Sequence, residues 1–144
     1  MNETQLIPHL IVRGGAEAIA FYQRAFGAEL DYDLVEPSGR VGHAEMRIGA
    51  ARFALADEYP EYDCLSPTTR GGTSIALTFY VADVDAAAAR AIEAGATLER
   101  PIADEFYGDR VASLRDPFGH RWSLHTRIEE VSPEEMRRRM AAGC

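Results

Sequence analysis

Gly27-Ala28-Glu29-Leu30 and Gly95-Ala96-Thr97-Leu98 are the two stretches whose agreement decides the fold. In each, a glycine ends a helical pattern, a position where a left-handed backbone is easily adopted, and a strand-like segment opens behind it. The helix before Gly27 is predicted from about Ala16 to Phe26; the one before Gly95 runs from Val84 to Ala94, with Asp83 as its N-cap. Landmarks on either side keep the same spacing: Val81 lies 69 residues after Val12, Gly95 68 after Gly27, and Gly119 70 after Gly49. Working outward, the apolar run Leu6–Val12 precedes the first helix, and strand-like segments follow at Glu29–Val35, Gly42–Ile48 and Arg52–Asp57. The second half offers Ser74–Val81 before its helix, then a weak segment at Thr97–Arg100 and stronger ones at Arg110–Arg115 and Arg121–Thr126. The chain therefore reads as strand-helix-strand-strand-strand written twice, an α+β arrangement.

Module one is assigned to 5–58 and module two to 73–128 of a single domain. The segment 59–72 between them, rich in Pro, Thr, Gly and acidic residues, reads as a linker or lid. After the second module, Ser132-Pro133-Glu134-Glu135 is a capping box with proline at the first helical position, which predicts a C-terminal helix over 132–142. The 144 residues are 47% hydrophobic and 26% charged, an ordinary globular composition for one core, and the formal net charge is −8. That charge argues against nucleic-acid or anionic-membrane partners, which need a basic face. The one dense basic run, Arg137-Arg138-Arg139, is surrounded by Glu129, Glu130, Glu134 and Glu135. Cys64 and Cys144 give neither metal-type spacing nor a disulfide framework. The opening MNETQLIPHLIV has no basic region and no long apolar stretch, so neither a signal peptide nor a membrane span is expected, and the cytoplasm is the default location.

Several stretches resemble a known family. Pro8-His9-Leu10-Ile11-Val12, Ala18-Ile19-Ala20-Phe21-Tyr22 and Phe26-Gly27-Ala28-Glu29 are similar to the first module of vicinal oxygen chelate proteins, the grouping of glyoxalases, bleomycin-resistance proteins and extradiol dioxygenases. Phe106-Tyr107-Gly108-Asp109-Arg110 and Asp116-Pro117-Phe118-Gly119-His120-Arg121-Trp122 resemble its PhnB-like branch. The resemblance spans roughly residues 5 to 128. It implies two βαβββ modules forming a curved mixed sheet around a cavity with the helices outside, and a homodimer, because modules of this superfamily often pair across chains.

Given that fold, strand alternation assigns the faces. Leu10 and Val12, Ala44 and Met46, Leu77 and Phe79, and Trp122 and Leu124 go to the helix side. His9, His43, Glu45, Thr78, Tyr80, Ser113 and His125 face the cavity as candidate ligand-binding residues, with Arg110 in a rim loop facing an anionic ligand or pairing with Asp109 or Asp116. Metal-dependent members of the family place His or Glu at four positions that correspond here to Ile7, Ala54, Ala76 and Ser123, none of them a competent ligand. The expectation is a metal-free protein that binds a small organic molecule. Two alternatives stay open: a metal-dependent lyase, isomerase or dioxygenase using a displaced site of His9, His43, Glu45 and His125, and an antibiotic-sequestering resistance protein. For proton transfer, a partly desolvated Glu45 beside His43 is the candidate general base near neutral pH; the competing reading pairs Glu45 with Arg47 or Arg121.

Overall fold

A computed structural model describes residues 3–143, which leaves Cys144 outside the described residues. Apolar side chains at helical spacing make α1 (Gly15–Phe26), with Ala18, Ile19, Tyr22 and Ala25 buried and Gly27 closing it in the left-handed conformation. Around it lie β1 (His9–Val12), β2 (Glu29–Val35), β3 (Val41–Ile48) and β4 (Ala51–Asp57). They form a four-stranded sheet in the order β1-β4-β3-β2, in which β1 runs parallel to β4 and the other pairs are antiparallel.

A 3-10 turn at Pro60–Tyr62 and the short α2 (Pro67–Arg70) follow. The second half then repeats the first with β5 (Ala76–Tyr80), α3 (Val84–Ala94), β6 (Thr97–Leu98), β7 (Ala103–Asp104), β8 (Asp109–Arg115) and β9 (Arg121–Arg127). The order β5-β9-β8-β6, with β5 parallel to β9, follows that of the first sheet, and β7 adds a fifth strand by pairing with β8. The chain is thus α+β with two mixed sheets, one for each half, and α4 (Pro133–Ala141) follows them.

Two boundaries differ from the sequence reading. The weak strand predicted at Thr97–Arg100 covers only Thr97–Leu98, and a second short strand that was not predicted, Ala103–Asp104, pairs with β8 beyond Pro101, which has no N–H to donate. The strand predicted to start at Arg110 starts at Asp109.

Alternate strand residues are buried under the helices: Leu10 and Val12, Ala44 and Met46, Ala112 and Leu114, Trp122 and Leu124. Between the halves sits an aromatic cluster in which Tyr22 packs on Phe26, Phe53, Phe118 and Trp122, and Phe26 on Phe79. At its centre is the Asp116 carboxylate, 4% exposed. One of its oxygens accepts the Tyr22 hydroxyl from the first half and the Trp122 indole N–H at 2.9 Å; the other accepts the backbone N–H groups of Phe118 at 2.8 Å and His120 at 3.0 Å. Four donors thereby compensate the desolvation of a buried carboxylate. The His120 ring nitrogen Nε2, 2.8 Å from the Ile11 carbonyl, and the Arg90 guanidinium, donating to the Arg24 carbonyl at the end of α1, add further links between the halves.

The 59–72 segment is strapped down at both ends. The Glu58 carboxylate accepts the backbone N–H and hydroxyl of Ser66 and the hydroxyl of Thr69. The start of α2 then packs on the turn of Asp116–Gly119. A Cβ on Gly119, whose φ is +89°, would come within 2.9 Å of the Pro67 side chain, so both conformation and space require glycine there. Among the described residues, no helix is long and apolar enough to cross a membrane.

Replacing Asp116 with Ala leaves the Tyr22 and Trp122 donors buried without an acceptor. The expected loss is about 3 kcal/mol, seen as a fall of roughly 6–12 °C in melting temperature; an unchanged melting curve would contradict the central role of this carboxylate. Burial, and then the adjacent Asp116, hold the Tyr22 phenol well above its ordinary pKa of 10. A phenol that keeps its proton in the folded state contributes stability that is complete below pH 10 and declines as pH rises toward the folded value. Tyr22→Phe is therefore expected to flatten the decline of melting temperature above pH 10.

Candidate functional site

The sheet faces turned away from the helices carry the polar residues. On the first sheet, Ala54 stands at the centre, paired with His9 on β1 and Glu45 on β3. The His9 and His43 rings meet edge to face with centroids 5.4 Å apart. The Glu45 carboxylate accepts the Tyr32 hydroxyl at 2.8 Å and lies 3.2 Å from His43 Nε2. Two adjoining clefts of about 350 and 490 Å³ share Gly42 and Tyr59; one is lined by His9, Ile11 and Tyr62, the other by Leu34, Val35 and His43. Tyr59 is fixed over this region by its hydroxyl on Glu36 and by the Arg40 guanidinium, 3.8 Å from its ring centroid.

Equivalent positions on the second sheet carry different chemistry. Ser123 is at the centre, paired with Thr78 on β5 and Ser113 on β8. Beside it the Asp109 carboxylate, 1% exposed, accepts the Tyr80 hydroxyl at 2.6 Å, sits 2.8 Å from His125 Nδ1, and accepts Arg127 Nε at 2.6 Å. Burial alone would raise the Asp109 pKa, but the bonds from Tyr80, His125 and Arg127 outweigh it and hold the carboxyl below its ordinary range. The other His125 nitrogen, Nε2, is 2.9 Å from the Ser123 hydroxyl. Tyr107 stacks over His125 with a centroid separation of 6.3 Å, and Arg100 donates to the Ser113 hydroxyl at 2.9 Å.

The two faces stay apart within one chain. Among the described residues, no hydrogen bond, ion pair or ring contact joins the His43 face to the His125 face. His9, His43 and Glu45 come together, whereas His125 lies with Asp109 and Ser123, so the displaced set of four does not assemble in a single chain. No group of three or more His, Cys, Asp and Glu able to hold a metal ion occurs among the described residues.

Two expectations need correcting. Arg110 belongs to the helix side of β8, with Ala112 and Leu114, and binds Asp85 at 2.9 Å and Asp104 at 2.8 Å, rather than Asp109 or Asp116. Glu45 is held below its ordinary pKa, first by His43 and then by Tyr32, so it is not poised as a base near neutral pH. Its expected arginine partners are engaged elsewhere, Arg47 with Glu29 and Asp31, and Arg121 with Glu99.

Thr78, Tyr80, Ser113 and His125 lie on the open face as alternation requires, with Thr78 and Tyr80 exposed on the edge strand. The sequence reading passed over Asp109, Ser123 as a reactive group, Arg127 and Tyr32. Starting β8 one residue earlier would have put Asp109 on the same face as Ser113, and applying alternation to β2 would have raised Tyr32.

The chain is similar to known proteins in sequence and fold. The profile of the Glyoxalase/Bleomycin resistance protein/Dioxygenase superfamily matches residues 5–124. An uncharacterized protein of Mycobacterium bovis is 38% identical over 143 residues, covering 97% of this chain and 94% of that protein. The crystal structure of a gene product from Arabidopsis thaliana superposes with a TM-score of 0.70 at 25% identity, over 85% of this chain and 98% of that one. The fosfomycin resistance protein FosX of Listeria monocytogenes does so with a TM-score of 0.69 at 21% identity, over 94% and 99%, a likeness of fold alone. With the family profile covering both halves of the repeat, the chain belongs to the glyoxalase, bleomycin resistance protein and dioxygenase superfamily.

Proposed function

We propose that this chain binds a small organic molecule between its two open faces, as a PhnB-like cytoplasmic member of the superfamily that works without a resident metal and without nucleic-acid or membrane partners. The observation that carries the reading is the pair of unlike polar faces, each built on one half of the repeat and left open in the single chain. A homodimer in which the His43 face of one subunit closes on the His125 face of its partner would turn two open faces into cavities. It would also cover Leu34, Val35 and Tyr80, which are 60%, 52% and 54% exposed.

The residues present do not fit the superfamily's metal chemistry. Ile7, Ala54 and Ala76 carry no donor atom on their side chains, and the Ser123 hydroxyl is engaged with His125. Recognition would fall instead to His9, His43, Glu45 and Tyr32 from one face and Ser113, Tyr80 and His125 from the other. A second reading, a divalent ion using His9, His43 and Glu45 with His125 of the partner subunit, would need these side chains to rearrange, because they do not form a metal-holding group as they stand.

Metal analysis of protein purified without a histidine tag, with His43→Ala alongside, separates the two. We expect substoichiometric metal in both, even after incubation with zinc, nickel, manganese or iron(II); near-stoichiometric metal that disappears in the variant would overturn the metal-free reading. Sedimentation is expected to give about twice the 15.9 kDa chain mass and to fall toward the single-chain mass in Leu34→Asp. A native chain that sediments as a monomer at micromolar concentration would remove the shared cavity.

A further inference from the structure

Ser123, His125 and Asp109 form a continuous hydrogen-bonded line on the open face of the second sheet: Ser123 Oγ to His125 Nε2 at 2.9 Å, then His125 Nδ1 to Asp109 Oδ2 at 2.8 Å. We propose that this line is a nucleophilic acyl-transfer site, with Ser123 attacking small activated carboxylic esters, His125 as its general base and Asp109 as the residue that positions the imidazole. The activity goes beyond ligand binding and needs only that this face be reachable by a small ester.

Three features carry it. First, the order of atoms is the one nucleophilic activation needs: one imidazole nitrogen on the hydroxyl and the other on a carboxylate, which fixes the tautomer with Nε2 free to take a proton. Second, the carboxylate is fixed independently, since Asp109 also holds the Tyr80 hydroxyl and Arg127. An imidazole that lost its proton partner on one side would still be oriented from the other. Third, Ser123 is part-exposed on this face, with the Tyr80 and Tyr107 rings flanking a mostly covered His125.

The step balances without any group the chain lacks. The Ser123 oxygen forms a bond to the ester carbonyl carbon as its proton passes to His125 Nε2 and the carbonyl π pair moves onto oxygen. The tetrahedral adduct then collapses, the bond to the leaving alkoxide or phenoxide breaks, and the leaving oxygen takes the proton from Nε2. Water repeats the sequence on the acyl-serine and releases the carboxylic acid.

The surroundings also set the substrate class. The backbone around Ser123 is committed to the ladders with β5 and β8, so no pair of free N–H groups is available for a developing oxyanion. A cation bound at this face is Arg100, which donates to Ser113, the residue opposite Ser123 on β8. With charge stabilisation coming from one guanidinium at a strand's distance, esters with good leaving groups, such as aryl esters, are the substrates expected.

The test uses the full chain with diisopropyl fluorophosphate, read by intact mass and peptide mapping, and with p-nitrophenyl acetate. The expected result is one adduct on Ser123, absent in Ser123→Ala, and labelling at least about tenfold slower in His125→Gln. Both variants are checked for native melting, and Ser123→Ala removes only a hydroxyl. Asp109→Asn is expected to slow labelling and to lower kcat for p-nitrophenyl acetate with KM little changed, because the imidazole is no longer held on the Ser123 hydroxyl; loss of a merely structural contact would lower the melting temperature without that split. Label on a tyrosine or on Ser113, or a Ser123 rate that equals that of urea-denatured chain or is unmoved in His125→Gln, would overturn the proposal. The metal and sedimentation measurements are independent of this result, so failure here leaves the binding reading to be judged by them.

Discussion

The buried Asp116 carboxylate is the constraint on which the rest of the structure depends. A charge this far from water is tolerable only when its oxygens are filled by donors, and the fold supplies four of them from three places: the turn that follows it, the strand beyond that turn, and a helix of the other half. The same atoms therefore shape the tight turn, orient Trp122 in the aromatic cluster and lock Tyr22 of α1 against the second sheet. With the helix sides joined in this way, the opposite faces of both sheets are left for chemistry. The position of Gly119 under the strap adds a second consequence, since the turn built by Asp116 is also the surface on which α2 rests.

The duplicated halves show how one scaffold can carry two chemistries. The central residue of each open face is Ala54 in one half and Ser123 in the other; the flanking residue on the first strand is His9 or Thr78, and on the third Glu45 or Ser113. Backbone pairing is the same at all three, and only the side chains have diverged. The first face keeps aromatic rings, imidazoles and a carboxylate around clefts under Tyr59. The second gathers its charge into one line ending on Asp109. Neither face carries the pattern of the other.

Much of the fold was legible because its signals are local. The matching Gly-Ala-x-Leu stretches, the capped helices and the alternation of apolar residues are consequences of backbone geometry, and they located both helices and assigned His9, His43, Glu45, Thr78, Tyr80, Ser113 and His125 to the correct faces. The site was legible only in part, because its electrostatics depend on which long side chains meet across strands. Arg110 was misplaced because it was read as a rim-loop residue: with Ser113 inward, alternation along the strand sends Arg110, three positions earlier, to the helix side, where Asp85 meets it. Glu45 was misjudged for an energetic one. Alternation reports that a carboxyl faces inward, but whether it is raised by burial or lowered by donors depends first on the His43 ring and then on Tyr32, thirteen positions away and across a strand pair.

The parallel pairing of β1 with β4, and of β5 with β9, also bears on how the chain acquires its structure. The first joins His9 to Ala54 and the second Ala76 to Arg121, in each case across 45 residues. The hairpins between can form early from near neighbours, whereas the opening strand of each half must wait for a loop of that length to close, at an entropic cost on the order of 3 kcal/mol. Because the two loops are equal, topology gives neither half a head start. The order in which they fold is left to sequence, and until each opening strand docks, β4 and β9 present an unpaired edge to which another chain can add.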